Sequence, residues 1–278
     1  MNALFGRNVR VTIGDRRYHN SLRVAFDIEK TLGMHSVSGR GRLALWNLAP
    51  QGRAVLAAAD APVTIEAGYG EDLPLLYSGQ VMQDVVTHRT RVTTMRDAVD
   101  WKTTIELTSG LAQIARSQSG LSFPPRSSLR EVLTSLTQAT GISLDSSVAK
   151  VISEVQDQEL PRGIAFSGRA FDALIRLCET TKICWWIDNN TLKFSPQDAA
   201  SYETTVVLSP RSGLLGSPER GLAGRLKVRA LLNTLLSPGR TVELQAKTEN
   251  GLYRIHKVKH IGDTYGADYY TDAEMAPL

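Results

Sequence analysis

Two acidic pairs, Glu71-Asp72 and Asp97/Asp100, are the residues whose types suit general acid and base work, as in glycoside cleavage. Their surroundings argue otherwise. Glu71-Asp72 belongs to a Gly-Tyr-Gly-Glu-Asp turn at the tip of a strand pair, where charge is the ordinary choice, and Asp97 and Asp100 flank a turn. No G-x-S-x-G stretch is present, and no nucleophile, base and orienter come together. The expectation is a protein that is not an enzyme. His256 and His260 would share a helix face and could bind a metal there, but their neighbours alternate as in a strand, which sets them roughly 13 Å apart. They are expected to be solvated strand histidines.

Gly39-Arg40-Gly41-Arg42-Leu43-Ala44 fits a loose dinucleotide fingerprint, G-x-G-x-x-A. That motif needs a helix after it, whereas "LALWNL" follows with strand character. It is taken as a flexible basic loop, and no cofactor is expected. Trp185-Trp186 invites a sugar- or base-stacking role, yet in an alternating strand one ring points into the core and the other outward. Cys178 and Cys184 are too few for a disulfide scaffold and not spaced as C-x-x-C, so both are expected to be small buried hydrophobes.

The elements that would position these residues fall into three segments. A length of 278 residues allows two or three domains, and 42 % hydrophobic with 22 % charged residues marks a globular chain. No apolar run approaches bilayer length, and "MNALFGRNVR" lacks the apolar core of a signal peptide, so synthesis in the cytoplasm and no membrane anchor are expected. The net charge of +4 is spread out, with small arginine knots at Arg7 to Arg17, Arg40 to Arg42 and Arg89 to Arg96.

Residues 1–115 read mainly as strands. "NVRVTIG" alternates Val9, Val11 and Ile13, "LRVAFDIEK" alternates Leu22, Val24, Phe26 (or Ala25) and Ile28, and "GRLALWNLA" puts Leu43, Leu45 and Asn47 opposite Trp46. "QGRAVLAAAD" is a short helix or a covering loop. Residues 116–200 read as a small α/β domain. "RSQSGLSFPPRSS" resembles a linker, and "SSLREVLTSLTQATG" is a helix with a Ser128/Glu131 capping box, an apolar face of Leu129, Val132, Leu133 and Leu136, and Gly141 as terminator. "SGRAFDALIRLCETT" is a second helix with Ser167 near its start and Phe171, Leu174, Ile175 and Cys178 as its stripe. Two strands then surround Asp188-Asn189-Asn190.

Strands return over 201–278, and they echo the first segment. Arg42-Leu43-Ala44-Leu45, Val63-Thr64-Ile65-Glu66-Ala67 and Leu76-Tyr77-Ser78-Gly79-Gln80-Val81 come in the same order as Arg225-Leu226-Lys227-Val228, Val242-Glu243-Leu244-Gln245-Ala246 and Leu252-Tyr253-Arg254-Ile255-His256-Lys257-Val258. Alternating strands also resemble one another by chance, so the echo is a weak cue by itself.

The chain resembles the baseplate hub proteins of contractile-tailed phages, the Mu-like and T4-like double-barrel hub family. The resemblance is carried by "SGLLGSP" (Ser212 to Pro218), "GRLKVRALLNTLLSPGRTVEL", "YRIHKVKHIGDTYGADYYTD", "SGRAFDALIRLCETTKICWWIDNNTLKF", "GRLALWNLAPQGRAVL" and "VTIEAGYGEDLPLLYSGQV". Gly213, Gly216, Pro218, Asn233, Pro238 and Gly239 match its structural motif. It implies a mainly β fold with an α/β insertion: two tail-tube-like β-barrel domains, 1–115 and 201–278, and a small α/β domain, 116–200. It further implies a virion component, a homotrimeric pseudo-six-fold ring joining a hexameric tail tube to a trimeric central spike, with tape measure and baseplate wedge proteins as neighbours and DNA in transit through the lumen. Related hubs serve both contractile and flexible tails. A nucleic-acid-binding β-barrel, which would need its arginine knots on one face, and a tail-associated peptidoglycan-active protein are the alternatives.

Overall fold

The computed structural model describes residues 6–19, 21–33, 39–56, 61–84, 86–87, 89–110, 114, 117–197, 204–221 and 224–278. Among them the first segment supplies β1 (Arg7–Ile13), β2 (Arg16–Tyr18), β3 (Val24–Thr31), β4 (Arg40–Trp46), α1 (Pro50–Leu56), β5 (Pro62–Tyr69), β6 (Leu75–Val81), β7 (Val92–Asp97) and β8 (Asp100–Thr108). The middle supplies β9 (Gln118–Phe123), α2 (Leu129–Ala139), β10 (Ser143–Leu144), α3 (Ser146–Glu154), β11 (Ile164–Arg169), α4 (Ala170–Thr180), β12 (Ile183–Asp188) and β13 (Thr191–Pro196). The last segment supplies β14 (Val206–Leu208), β15 (Leu214–Arg220), β16 (Leu226–Leu231), β17 (Thr241–Gln245), β18 (Asn250–Asp263) and β19 (Tyr269–Pro277). The fold is thus mostly β-strand, with three of the four described helices gathered in an α/β region.

The first and last segments share one 14-stranded sheet, ordered β15-β16-β19-β18-β3-β4-β8-β6-β5-β1-β2, with β7 on β8 and β17 on β18. No pairing among the described residues closes this sheet on itself. Strict alternation dictates it: in β3, Val24, Phe26 and Ile28 are buried while Ala25, Asp27 and Glu29 are half-exposed. Three apolar clusters follow the three segments. One gathers β1, β3, β4, β5, β6 and β8 around Leu43, Leu45, Ile65 and Tyr77, a second holds the helices against β12 and β13, and a third lies under β16, β18 and β19.

The echo noted in the sequence has a counterpart in the pairing. β4 lies between β3 and β8, as β16 lies between β15 and β19, and β5 pairs with β6 as β17 pairs with β18. The long β18 does the work of two strands: its first part runs beside β17, its last part beside β19, as β6 runs beside β5 and β7 beside β8.

Several expectations need correction. Gly39 to Ala44 is no loop, because Arg40 to Ala44 lie in β4 and are paired on both sides. Trp46 is buried like Leu45, since the Arg23 guanidinium covers its ring at 4.2 Å, and Asn47 leaves the strand at φ 56°. The linker-like stretch contains β9, whose residues pair with β11 from Gln118↔Arg169 to Phe123↔Ile164; its Arg116 lies outside the described residues. Ser167 is part of β11, so α4 starts later, with Arg169 at its N-cap and no side-chain cap bond. Ser128 does cap α2, accepting from Glu131 N–H, and Gly141 follows its end at φ 65°. "QGRAVL" is helical as α1, while 57–60 lie outside the described residues.

Leu45 is fully buried in the first cluster, so Leu45→Ala is expected to cost about 2–5 kcal/mol through lost contacts and the cavity left behind. Met95, 55 % exposed on β7, is expected to change stability by less than about 0.5 kcal/mol on the same substitution. Urea unfolding midpoints of the two variants check this difference.

Candidate assembly surface

The residues singled out for chemistry are engaged in holding turns together. Asp97 accepts a hydrogen bond from Trp46 Nε1 at 2.8 Å, and Asp100 accepts one from Asn47 Nδ2 at 2.8 Å, which fixes the β7–β8 turn against β4. Glu71 and Asp72 are exposed in the β5–β6 turn. His260 is buried and hydrogen-bonded through Nδ1 to Thr271 Oγ1, while His256, four residues earlier at the register shift between Ile255 and Lys257, is half-buried. The expectation of two solvated histidines fails for His260 because β18 is covered on that face by the middle segment. No cluster of three or more His, Cys, Asp or Glu is placed to hold a metal among the described residues. No helix among them is long and apolar enough to cross a membrane.

Trp185 and Trp186 are both buried, so neither presents a ring for stacking. All of β12 is enclosed, because it wedges between the first and last segments. Gly33 N–H donates to Trp185 O at 3.0 Å, and the Trp185 ring lies against Gly33 on one side and edge-on to Phe171 on the other. Trp186 packs on Gly239, where a Cβ would come within 2.5 Å of the ring. Gly239 also needs φ 79°, so both demands select glycine there. Cys178 and Cys184 are buried and not disulfide-bonded, and burial pushes the Cys178 thiol well above its ordinary pKa.

The β12–β13 turn completes the wedge. Asn189 and Asn190 take φ 53° and 61°, as the Asp188-Asn189-Asn190 reading expects. Asn189 Oδ1 accepts from Ser78 N–H at 2.9 Å, and Asn190 Oδ1 accepts from Gly110 N–H at 2.9 Å. Asp188 meets Lys30 of β3 at 2.6 Å, with both side chains almost wholly buried. Burial pushes the Asp188 carboxyl up, but the Lys30 ammonium outweighs it, and the pKa lies below the ordinary carboxylate range. Burial, together with Lys30, lowers the His260 imidazole to about 3. The opposite charge of Asp188 only partly offsets this.

The other face of the sheet is charged in columns. Asp27 and Glu29 of β3 point outward, flanked by Lys257 and Lys259 of β18 on one side and Arg40 and Arg42 of β4 on the other. Beyond β18 stand Asp272 and Glu274 of β19, then Lys227 and Arg229 of β16. Beyond β4 stand Glu106 of β8 and then Arg91. The signs therefore alternate strand by strand. Ion pairs tie the columns: Lys257 to Glu29 at 2.9 Å, Lys259 to Asp27 at 3.0 Å, Arg229 to Asp272 at 2.7 Å and Arg91 to Glu106 at 3.2 Å. Each exposed pair contributes little alone, about 0.2–1 kcal/mol, but a one-residue slip would bury them all. The spacing of like charges two apart, in Asp27/Glu29, Arg40/Arg42 and Lys257/Lys259, was the signal in the sequence that could have revealed this face.

The six motif residues are scattered over the last segment. Gly213 (φ 106°) precedes β15, and Gly216 (φ 71°) and Pro218 lie within it, where the register against β16 shifts. Asn233 donates its backbone N–H to Thr271 Oγ1 and accepts Leu235 N–H on Oδ1, bracing the connection from β16 to β17. Pro238 and Gly239 are buried in that connection, and Gly239 N–H donates to Ile255 O.

No protein-family model and no curated protein matches the chain. Solved structures do. A tail protein from Neisseria meningitidis MC58 superimposes with a TM-score of 0.63 at 8% identity, covering 98% of this chain and 96% of that one. The 43 kDa tail protein of prophage MuSo2 from Shewanella oneidensis does so with a TM-score of 0.63 at 10% identity, covering 98% of both. The E. coli c3393 protein is a component of the type VI secretion system with structural similarity to the T4 bacteriophage tail proteins gp27 and gp5. It matches with a TM-score of 0.60 at 12% identity, covering 99% of this chain and 77% of that one. The chain thus shares its fold with these phage tail and type VI secretion proteins, at low sequence identity.

Asp188→Asn is expected to destabilise the fold by about 3–5 kcal/mol, because it leaves the Lys30 charge buried without its counter-ion. Acid should act on the same place. His260 binds a proton more readily unfolded than folded, so its contribution is lost as pH falls from about 6.5 toward 3, and that of Asp188 is lost below the unfolded carboxylate range. Melting temperature against pH is expected to decline through that window, and less steeply in a folded His260→Gln variant.

Proposed function

We propose that the chain is a structural phage tail protein, a baseplate hub whose three copies form a pseudo-six-fold ring between a hexameric tail tube and a trimeric central spike. The observation that carries this reading is the repeated strand pairing of the first and last segments within one continuous sheet. A chain with two such units offers six equivalent units from three copies, which is what a six-to-three adaptor requires. Residues 1–115 and 201–278 are the two tube-like barrel domains, and 116–200 is the α/β domain that locks them together. The likeness in fold to tail proteins over nearly the whole chain supports the same reading.

The charged face suits the inner wall of such a ring, with DNA as cargo in transit. Arg40, Arg42 and Arg91 do lie on one face, as a nucleic-acid-binding barrel would need, but carboxylates stand in columns between them. A phosphate chain laid across this face meets a repelling column between every two attracting ones. The role is structural rather than catalytic, since the acidic candidates Asp97 and Asp100 are committed to turn hydrogen bonds.

Native mass spectrometry of the chain, alone and co-expressed with the spike protein, tests the proposal. A trimer in either sample is expected. A monomer in both overturns the hub reading.

A further inference from the structure

A cleft of about 770 Å³ opens where the first segment meets the last, between the β5–β6 turn and the connection from β16 to β17. Leu73 and Pro74 line one wall, Leu231 and Leu235 the other, with Tyr69 and Leu232 between them and Glu71 and Asp72 at the rim. We propose that this cleft docks a short cationic segment of another protein, which inserts a leucine-sized side chain between the walls and lays Lys or Arg beside Glu71 and Asp72. One copy of the chain holds the whole cleft, so the proposal stands apart from the hub reading.

The cleft is built before any ligand arrives. On one wall Gly70 N–H donates to Gly6 O, Asn8 Nδ2 donates to Gly70 O, and Ala67 N–H donates to Pro74 O, which ties both ends of the β5–β6 turn. Pro74 packs on Gly68, where a Cβ would come within 3.1 Å of its ring. On the other wall Leu231 N–H donates to Gly213 O and Asn233 N–H to Thr271 Oγ1. Tyr69 joins the two walls. Its hydroxyl accepts Leu232 N–H at 3.2 Å, and its ring stands edge-on to Tyr269 at 5.5 Å. A ligand that enters a braced cleft does not have to order it first, so less entropy is lost on binding.

The walls keep apolar surface in water. Leu235 is 54 % exposed, yet its N–H donates to Asn233 Oδ1 and its C=O accepts from Arg240 Nη1, so its backbone is fixed in place. Leu231 beside it is half-buried, and on the opposite wall Leu73 is half-buried and Pro74 exposed. A single exposed leucine needs no explanation. Apolar side chains on two facing walls, with charge only at the rim, have the layout of a binding cleft.

The rim sets the sign of the ligand. Arg10 also lines the cleft, but its guanidinium is paired with Glu66 at 3.2 Å. Glu71 and Asp72 are exposed neighbours with no ion-pair partner among the described residues. The lining thus offers two carboxylates and one neutralised cation, which favours a basic segment over an acidic one. A turn calls for polar residues at these positions but not for two like charges in succession. Docking gives the pair the use that acid and base chemistry did not.

Fluorescence anisotropy with a fluorescein-labelled hexapeptide of alternating Lys and Leu tests the proposal, beside a Lys-Ser and a Glu-Leu hexapeptide, and hydrogen exchange locates the bound peptide. The expected result is saturable binding of the Lys-Leu peptide below about 1 mM, and affinity about tenfold or more weaker for the other two. Amides of 67–75 and 231–236 should exchange more slowly in the wild-type complex. Leu235→Ser and the double variant Glu71→Lys/Asp72→Lys change exposed side chains, so both should keep the wild-type melting temperature and lose about tenfold or more in affinity. Equal binding of the Lys-Ser or Glu-Leu peptide, or undiminished binding by the folded variants, overturns the docking cleft. No saturable binding by the wild-type protein does the same. Slowed exchange confined to other segments also overturns it, and that result needs only the wild-type protein, so it decides even where a variant fails to fold.

Discussion

The pairing of β3 with β18 is the constraint on which the remaining structure depends. It makes one sheet out of two units, and its inner side is polar. Val258↔Lys30 and His260↔Ile28 are partners across it, which directs Lys30 and His260 into the interior at the line where the two apolar clusters meet. A buried ammonium there costs several kcal/mol unless an anion reaches it. Asp188 is that anion, and it comes from the middle segment. The α/β region is therefore part of the seam. Trp185 against Gly33 and Trp186 against Gly239 fix the same wedge on its two sides.

The outer face solves a different problem. A sheet with one wetted side needs its register fixed without a core to fix it. Alternating columns of like charge do this across six strands, because a pairing error of one residue along β3, β18 or β19 exchanges an outward carboxylate or ammonium for a side chain of the buried face. Charge on the solvent side and aliphatic side chains on the core side state the same register twice.

Much of this was legible in the strands themselves. Period-two alternation placed β1, β3, β5, β8, β16 and β18, and the order of β4, β5 and β6 against β16, β17 and β18 carried the duplication before any pairing was known. The misreadings share a cause. One of Trp185 and Trp186, together with Trp46 and His260, reads as outward-facing because a strand with one wet face exposes every second residue, yet Arg23 covers Trp46 and segments distant in the chain cover the others. β9 looked like a linker because Ser and Gly have low strand propensity, and only its partner β11 makes it a strand. The Lys30–Asp188 contact spans 158 residues, and no local pattern encodes it. The acidic candidates failed for a related reason, since the Trp46 and Asn47 donors that occupy Asp97 and Asp100 lie some fifty positions away.

The two units differ in their first strands, β3 and β15, and the difference is physically ordered. β3 is an eight-residue strand without Gly or Pro, alternating without a break, and its pairing with β18 is made within one chain. Its counterpart β15 carries Gly216, Pro218 and a register shift between Leu215 and Glu219. An edge left open in a free chain is an aggregation hazard, so it gains from being short, bent and poor in donors. A strand buried within the chain has no such need. That β15 is blunted while β3 is regular follows from where each lies in the sheet, one at an open end and the other enclosed between β18 and β4.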